Sequence, residues 1–144
     1  MASRMTEIDA ILEQLLSTTG ASRVTLRQDV PGDVFPVTHE VLADGAPPIR
    51  GVATPDMARQ PVVLEVGQGR QVVQDDCLAA SEEPHFRAML ELYGGLRAQI
   101  VTPVVREGRV AAIVSLHQLS RTRQWSEQEV DAARTAAERV GELL

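Results

Sequence analysis

The sequence predicts an α+β domain: an antiparallel sheet with terminal helices packed on one face and a roof of loops and short helices on the other. Three observations carry this expectation. Apolar residues recur at helical spacing at both ends of the chain. Between the ends the period changes to strand-like runs, two of them joined by a tight turn. The last run is apolar on both parities, as in a strand covered on both faces.

The first helix is predicted from Ile8, Ile11, Leu12, Leu15 and Leu16, with Thr6-x-x-Asp9 as its cap and Gly20 as its stop. Arg23-Val24-Thr25-Leu26-Arg27 alternates polar and apolar residues as a half-buried strand does, and the turn Val30-Pro31-Gly32-Asp33 leads to a second strand around Phe35 to Ala43, giving a hairpin. The stretch from Asp44 to Gly95 reads as loops and short helices with one short strand at Val72-Val73. In it, Thr54-Pro55-Asp56 opens a helix that Pro61 interrupts, and Ser81-Glu82-Glu83-Pro84 introduces another whose Phe86, Met89, Leu90 and Tyr93 share a face before Gly94-Gly95. This middle stretch is the expected roof. Leu96 to Val105 and Arg109 to His117 are two long strands joined at Glu107-Gly108. On the second, Val110, Ala112, Val114 and Leu116 are expected on one face, and Ala111, Ile113, Ser115 and His117 on the other. Ser126-Glu127-Gln128-Glu129 is a capping box, Trp125 and Val130 form its hydrophobic staple, and Ala133, Ala137, Val140 and Leu144 continue the stripe of the last helix.

Composition narrows the function classes. At 144 residues, with 44% hydrophobic and 24% charged residues, the chain is expected to form one domain over residues 1–144. All 14 of its basic residues are Arg, and it contains no Lys, no Asn and a single cysteine, Cys77. One cysteine closes no intramolecular disulfide and builds no thiolate cage, which points to a cytoplasmic domain without oxidative staples. A net charge of −6 argues against nucleic acid as a partner. No apolar run approaches membrane-spanning length, so no membrane association is expected.

The order helix, two strands, irregular middle, two long strands, helix resembles the GAF domain, the small-molecule sensing module of many bacterial signalling proteins. The resemblance runs from about Thr6 to Leu144. It is carried by Leu96-Arg97-Ala98-Gln99-Ile100-Val101-Thr102-Pro103-Val104-Val105, the Glu107-Gly108 turn, Ala112-Ile113-Val114-Ser115-Leu116-His117-Gln118, and Arg123-Gln124-Trp125-Ser126-x-x-Glu129. It implies a ligand pocket between the sheet and its roof. The cyclic-nucleotide signature of the family begins with Asn and Lys, which this chain lacks. His117-Gln118 followed by Arg123-Gln124-Trp125 is similar to the bilin-binding members, and Asp75-Asp76-Cys77-Leu78 approximates the Asp-x-Cys-Phe element of some cyanobacteriochromes. The main attachment cysteine of those members, followed by His, has no counterpart, because Pro84-His85 stands nearby.

The residues expected to meet a ligand are His117, Ser115, Tyr93, Asp75 and Cys77. His117 and Ser115 share a strand parity, the Tyr93 hydroxyl needs a partner if buried, and one of the adjacent Asp75 and Asp76 can face the pocket. Cys77 reads either as a buried filler or as a thiol facing the ligand. His85 is expected in solvent, and His39, His85 and His117 show no metal-chelating spacing, so neither metal nor cofactor is expected. No nucleophile, base and orienter motif is present, and the expected role is noncatalytic sensing of an unidentified small molecule. The helices Ile8 to Leu16 and Val130 to Leu144 are expected to form a homodimer bundle, with output through a downstream signalling protein. Two alternatives stand beside this reading: a thiol-dependent reductase of the free methionine sulfoxide reductase type using Cys77, and a ligand-free dimerisation module.

Overall fold

The computed structural model describes residues 4–31, 35–52 and 60–144. Five strands, β1 (Arg23–Gln28), β2 (Val37–Leu42), β3 (Val72–Gln74), β4 (Leu96–Arg106) and β5 (Arg109–Leu119), form one antiparallel sheet in the order β2-β1-β5-β4-β3. β4 and β5 are joined through Glu107 and Gly108, both at positive φ (54° and 78°), the backbone of the primed hairpin turn whose twist matches that of the strands. The turn between β1 and β2 and the segment Thr54-Pro55-Asp56 lie outside the described residues.

Helices α1 (Arg4–Thr19) and α5 (Glu127–Leu143) cover one face. Ile8, Ile11, Leu12 and Leu15 from α1, and Ala133, Ala136, Ala137 and Val140 from α5, close over Val24, Leu26, Ala98, Ile100, Val104, Ala112, Val114 and Leu116. Thr6 lies within α1 and does not cap it, while Gly20, at φ 63°, ends the helix as expected. The capping box is formed: Glu129 N–H donates to Ser126 Oγ at 3.1 Å and Ser126 N–H to Glu129 Oε1 at 2.9 Å. Trp125 and Val130 pack into the same core. A Cβ on Gly141 would stand 3.1 Å from Val104 Cγ1, so the missing side chain lets α5 approach β4 closely. The small residues of α5 are thus consumed within the protomer.

The other face is roofed by α2 (Pro61–Gly67), α3 (Cys77–Ala80) and α4 (Pro84–Leu92), with the loop around Ile49. Pro61 opens a helix where the sequence suggested a break, because proline at the first helical position forfeits no hydrogen bond. Pro84 does the same for α4, and the Glu83 carboxylate accepts the N–H groups of His85 and Phe86. Past α4, Gly95 N–H returns to Leu90 O and Gly94 N–H to Glu91 O, with both glycines at positive φ. Phe86, Met89, Leu90 and Tyr93 are all buried toward the sheet.

Alternation places Ile113, Ser115 and His117 under the roof and Ala112, Val114 and Leu116 under the terminal helices. Val110 departs from the expected face. Val104 pairs with Ala112 and Val105 with Val110, so Ala111 is the extra residue of a β-bulge, and the strand beyond it is turned over. Val110 therefore joins the roofed side. β1 also corrects the sequence reading, since like β4 and β5 it is buried on both faces: Arg23, Thr25 and Arg27 lie under the roof, not in solvent.

Candidate functional site

A cavity of about 330 Å³ lies between the roofed face of the sheet and α2 and α4. Its walls are mostly apolar, with Val62, Val66, Met89, Val101, Val110 and Ile113 prominent. Its polar lining includes Arg27, Gln60, Tyr93, Gln99, Ser115 and His117, with Asp29 and Arg109 at the rim. A closed apolar body with a few placed polar groups is the usual form of a small-molecule site, and the volume is at the small end of that range.

Strand register assembles the polar wall. Gln74, Gln99, His117 and Arg23 form one row across the sheet, and Val72, Val101, Ser115, Thr25 and Glu40 form the next. Gln99 Nε2 donates to Gln74 Oε1 at 2.8 Å. Arg23 Nε donates to His117 Nδ1 at 3.0 Å, its Nη1 to Pro47 O at 2.7 Å and its Nη2 to Tyr93 O at 2.7 Å. One buried guanidinium therefore ties the central strand, the loop before Ile49 and the end of α4 together. A Cβ on Gly94 would lie 2.7 Å from Pro47 Cγ, so this junction requires a glycine beside Tyr93. Arg27 Nη2 donates to the Tyr93 hydroxyl at 2.6 Å and Nη1 to Phe35 O at 2.9 Å. The Tyr93 and His117 rings stack at 5.8 Å.

Electrostatics defines the states of these groups. Burial, reinforced by the charges of Arg23 and Arg27, holds His117 well below its ordinary pKa of 6.5. The ring is neutral at physiological pH, and because Nδ1 accepts from Arg23 the proton resides on Nε2. Burial also pushes Arg23 down to about 10, with Glu40 acting in the opposite direction, which leaves it charged at neutral pH. Among the described residues neither Arg23 nor Arg27 lies within ion-pair distance of a carboxylate.

Of the five residues expected from sequence, the fold brings His117, Ser115 and Tyr93 to the cavity. Asp75 and Cys77 are not among its lining residues. Asp75 Oδ1 accepts the Trp125 N–H at 3.1 Å and its carbonyl accepts the Arg123 N–H at 3.1 Å, which fastens the end of β3 to the entry of α5. Arg123 completes that junction by stacking on Trp125 at 4.4 Å and donating to Gln118, Thr19 and Glu129. Cys77 is fully buried in the roof, where burial and the neighbouring Asp76 push its thiol up to about 12. A thiol in that state is a poor nucleophile, which counts against the reductase alternative. Asp76 instead caps α3 through the Leu78 and Ala79 N–H groups. His85 is exposed beside Glu83, and among the described residues no three His, Cys, Asp or Glu side chains are grouped to hold a metal.

Sequence reasoning missed Arg23, Arg27 and Gln99. The available signal was the pair of arginines at strand period flanking Thr25, which becomes informative only once β1 is known to be internal to a covered sheet.

The family described as "GAF domain" matches residues 4–144. The chain belongs to the GAF domain family. Among solved structures, the cyanobacteriochrome TePixJ GAF domain superposes with a TM-score of 0.84 at 24% identity, covering 99% of this chain and 89% of that one. The blue-light-absorbing form of the Thermosynechococcus elongatus PixJ GAF domain gives 0.76 at 26% identity, covering 99% and 90%. The far-red-absorbing dark state of JSC1_58120g3, solved with bound biliverdin IXa, gives 0.82 at 17% identity, covering 99% and 90%. No curated protein matches the chain.

Biliverdin IXa is the molecule bound in the JSC1_58120g3 structure. A thioether-linked tetrapyrrole requires a thiol on the cavity wall, and the one cysteine of this GAF domain is fully buried outside the lining. Its residues do not fit a covalently attached bilin. No helix of the described residues is long and apolar enough to cross a membrane.

Proposed function

We propose that this GAF domain is a noncatalytic sensor that binds a small molecule in the cavity between the sheet and α2 and α4, acts as one domain, and passes occupancy on through α1 and α5 to a downstream signalling protein. The observation that carries this reading is the cavity itself, apolar in body, with Arg27, Tyr93, Ser115 and His117 aimed at one space. A filled, ligand-free dimerisation module would have packed that space with its own side chains. Ligand binding would draw the roof onto the sheet and shift the ensemble of the terminal helices, which share the sheet's opposite face. A homodimer would use the outward sides of α1 and α5, around Ala10, Arg139 and Leu143, because the alanines of α5 are already buried within the protomer.

Native mass spectrometry of the protein purified from its source, set against its denatured mass and its absorption spectrum, tests the proposal. A retained small molecule without a covalent mass increment is the expected result. A strictly monomeric mass at high concentration removes the dimer. A mass without any ligand, together with no stabilisation by any compound of a metabolite panel, removes the sensor.

A further inference from the structure

The polar wall has an imbalance that hydrogen bonding does not resolve. Arg27 is 9% exposed and Arg23 is fully buried, and both sit on the roofed face of β1. Buried charges in proteins are ordinarily paired, because moving an ion out of water without a counter-charge is expensive. Among the described residues the hydrogen-bond partners are carbonyl oxygens, a phenol and a neutral imidazole, which occupy N–H groups and carry no counter-charge. Among the described residues Glu40 offsets part of the Arg23 charge, and no carboxylate is paired with Arg27. Glu40 accepts the Ile49 N–H at 2.7 Å, and Asp29 at the rim faces Arg109 at 4.0 Å.

The two arginines differ in what they have left. Arg23 uses donors on all three of its nitrogens and does not line the cavity. Arg27 lines the cavity and, among the described residues, spends two of its five N–H donors, one on Phe35 O and one on the Tyr93 hydroxyl. Its planar fork retains donors for a bidentate acceptor. Beyond it the lining turns apolar, with Val62, Val66, Met89, Val101 and Ile113.

Resting on the reading of this cavity as a small-molecule site, we infer that its ligand is a compact carboxylate with an apolar body, the carboxylate held by the Arg27 guanidinium and the body lying between α2, α4 and the sheet. A carboxylate matches one guanidinium fork in shape and charge, and an apolar body on it matches the aliphatic remainder of the lining. Arg23 acts as a positioning residue. It fixes the neutral His117 tautomer with the proton on Nε2, so that the ring adds a donor to the cavity and no second titrating charge.

The experiment is calorimetric titration at neutral pH with matched acids and amides: benzoate and benzamide, phenylacetate and phenylacetamide, hexanoate and hexanamide. At least one acid should bind about tenfold or more tightly than its amide, as a charge-assisted bidentate contact provides. Arg27→Met should abolish that preference, so that acid and amide bind the variant alike, and Arg27→Lys should retain part of it. Should Arg27→Met fail to fold, the wild-type acid-to-amide ratio and Arg27→Gln provide the same test. Equal binding of acid and amide, or an acid preference that survives Arg27→Met, overturns the inference and leaves the sensor reading standing. If no pair binds, the compound retained in native mass spectrometry decides. An anion supports the inference, a neutral compound overturns it, and no retained compound removes the sensor reading together with the inference.

Discussion

On the α1 and α5 side of the sheet, β1, β4 and β5 present Val24, Leu26, Ile100, Val114 and Leu116, which the helices bury in one apolar cluster. On the opposite side the same strands present Arg23, Thr25, Arg27, Gln99, Ser115 and His117, and a cavity of about 330 Å³ remains. Both faces are shielded from water, so hydrophobic burial alone would favour the same residue types on each. The difference separates a face of aliphatic side chains from a face on which polar groups surround a cavity. Local rules of good packing are commonly broken at functional sites and satisfied elsewhere.

The sharpest way to break this comparison is to truncate one apolar side chain on each face of β5. Leu116 is fully buried among close-packed neighbours, and Leu116→Ala should cost about 3–5 kcal/mol of unfolding free energy through lost transfer energy and a new cavity. Ile113 already borders empty space, so Ile113→Ala enlarges an existing cavity and should cost about 1–2 kcal/mol. Urea denaturation of the two variants with unchanged m-values reads the contrast directly. Equal losses would mean that the roofed face is as tightly packed as the other.

Gly94 tests how firmly the roof is latched to the sheet. At φ 87° and with Pro47 Cγ 2.7 Å from a would-be Cβ, Gly94→Ala should cost about 1–3 kcal/mol. It should also loosen the Pro47 carbonyl from Arg23, since the two contacts share one loop. Amide hydrogen exchange should then rise around residues 46–52 and in α4, with α1 and α5 left protected.

The histidines supply a pH dependence with a definite sign. Burial, then the Arg23 and Arg27 charges, lower the pKa of His117 in the folded protein below the ordinary 6.5, so the unfolded chain binds the proton more readily. The His117 contribution is fully present above about 6.5 and is lost as the pH falls toward the folded value, with a limiting slope of about 1.4 kcal/mol per pH unit for one proton. His39, lowered chiefly by burial, adds in the same direction. His117→Gln should flatten the acid side of the stability curve and leave the residual slope of His39. A curve that is unchanged by His117→Gln would show that the ring is not held neutral in the folded protein.

Much of this architecture was legible in the residues, and the parts that were not share one cause. The capping box at Ser126, the glycine stop after Tyr93 and the face of Phe86, Met89 and Leu90 depend on neighbours within a few positions, and the structure reproduces them. Parity along β5 placed Ser115 and His117 on one face for the same reason. Periodicity tells which residues share a face and says nothing of what covers that face. The arginines of β1 therefore read as solvated, although their partners Pro47 and Tyr93 lie 24 and 70 residues away. The Ala111 bulge was hidden because it depends on the pairing of two strands. Asp75 and Cys77 follow the edge strand β3 closely enough to suggest the pocket, yet the chain turns there toward α5 and into the roof.

The smallest expected effect is also the most direct probe of the roofed face. Thr25 is fully buried, and its Oγ1 has no hydrogen-bond partner among the described residues. A buried hydroxyl without a partner carries the desolvation cost of a polar group with no compensating bond. Valine has nearly the same shape and lacks that cost, so Thr25→Val should leave stability unchanged or raise it by up to about 1 kcal/mol. The reverse exchange one residue along, Val24→Thr, places a hydroxyl in the dry core of the helix-covered face and should destabilise by about 1–3 kcal/mol. Adjacent positions on one strand then respond with opposite sign to the same chemical change. A substantial loss on Thr25→Val would show that the hydroxyl is bonded in solution and that the row containing Ser115 serves stability.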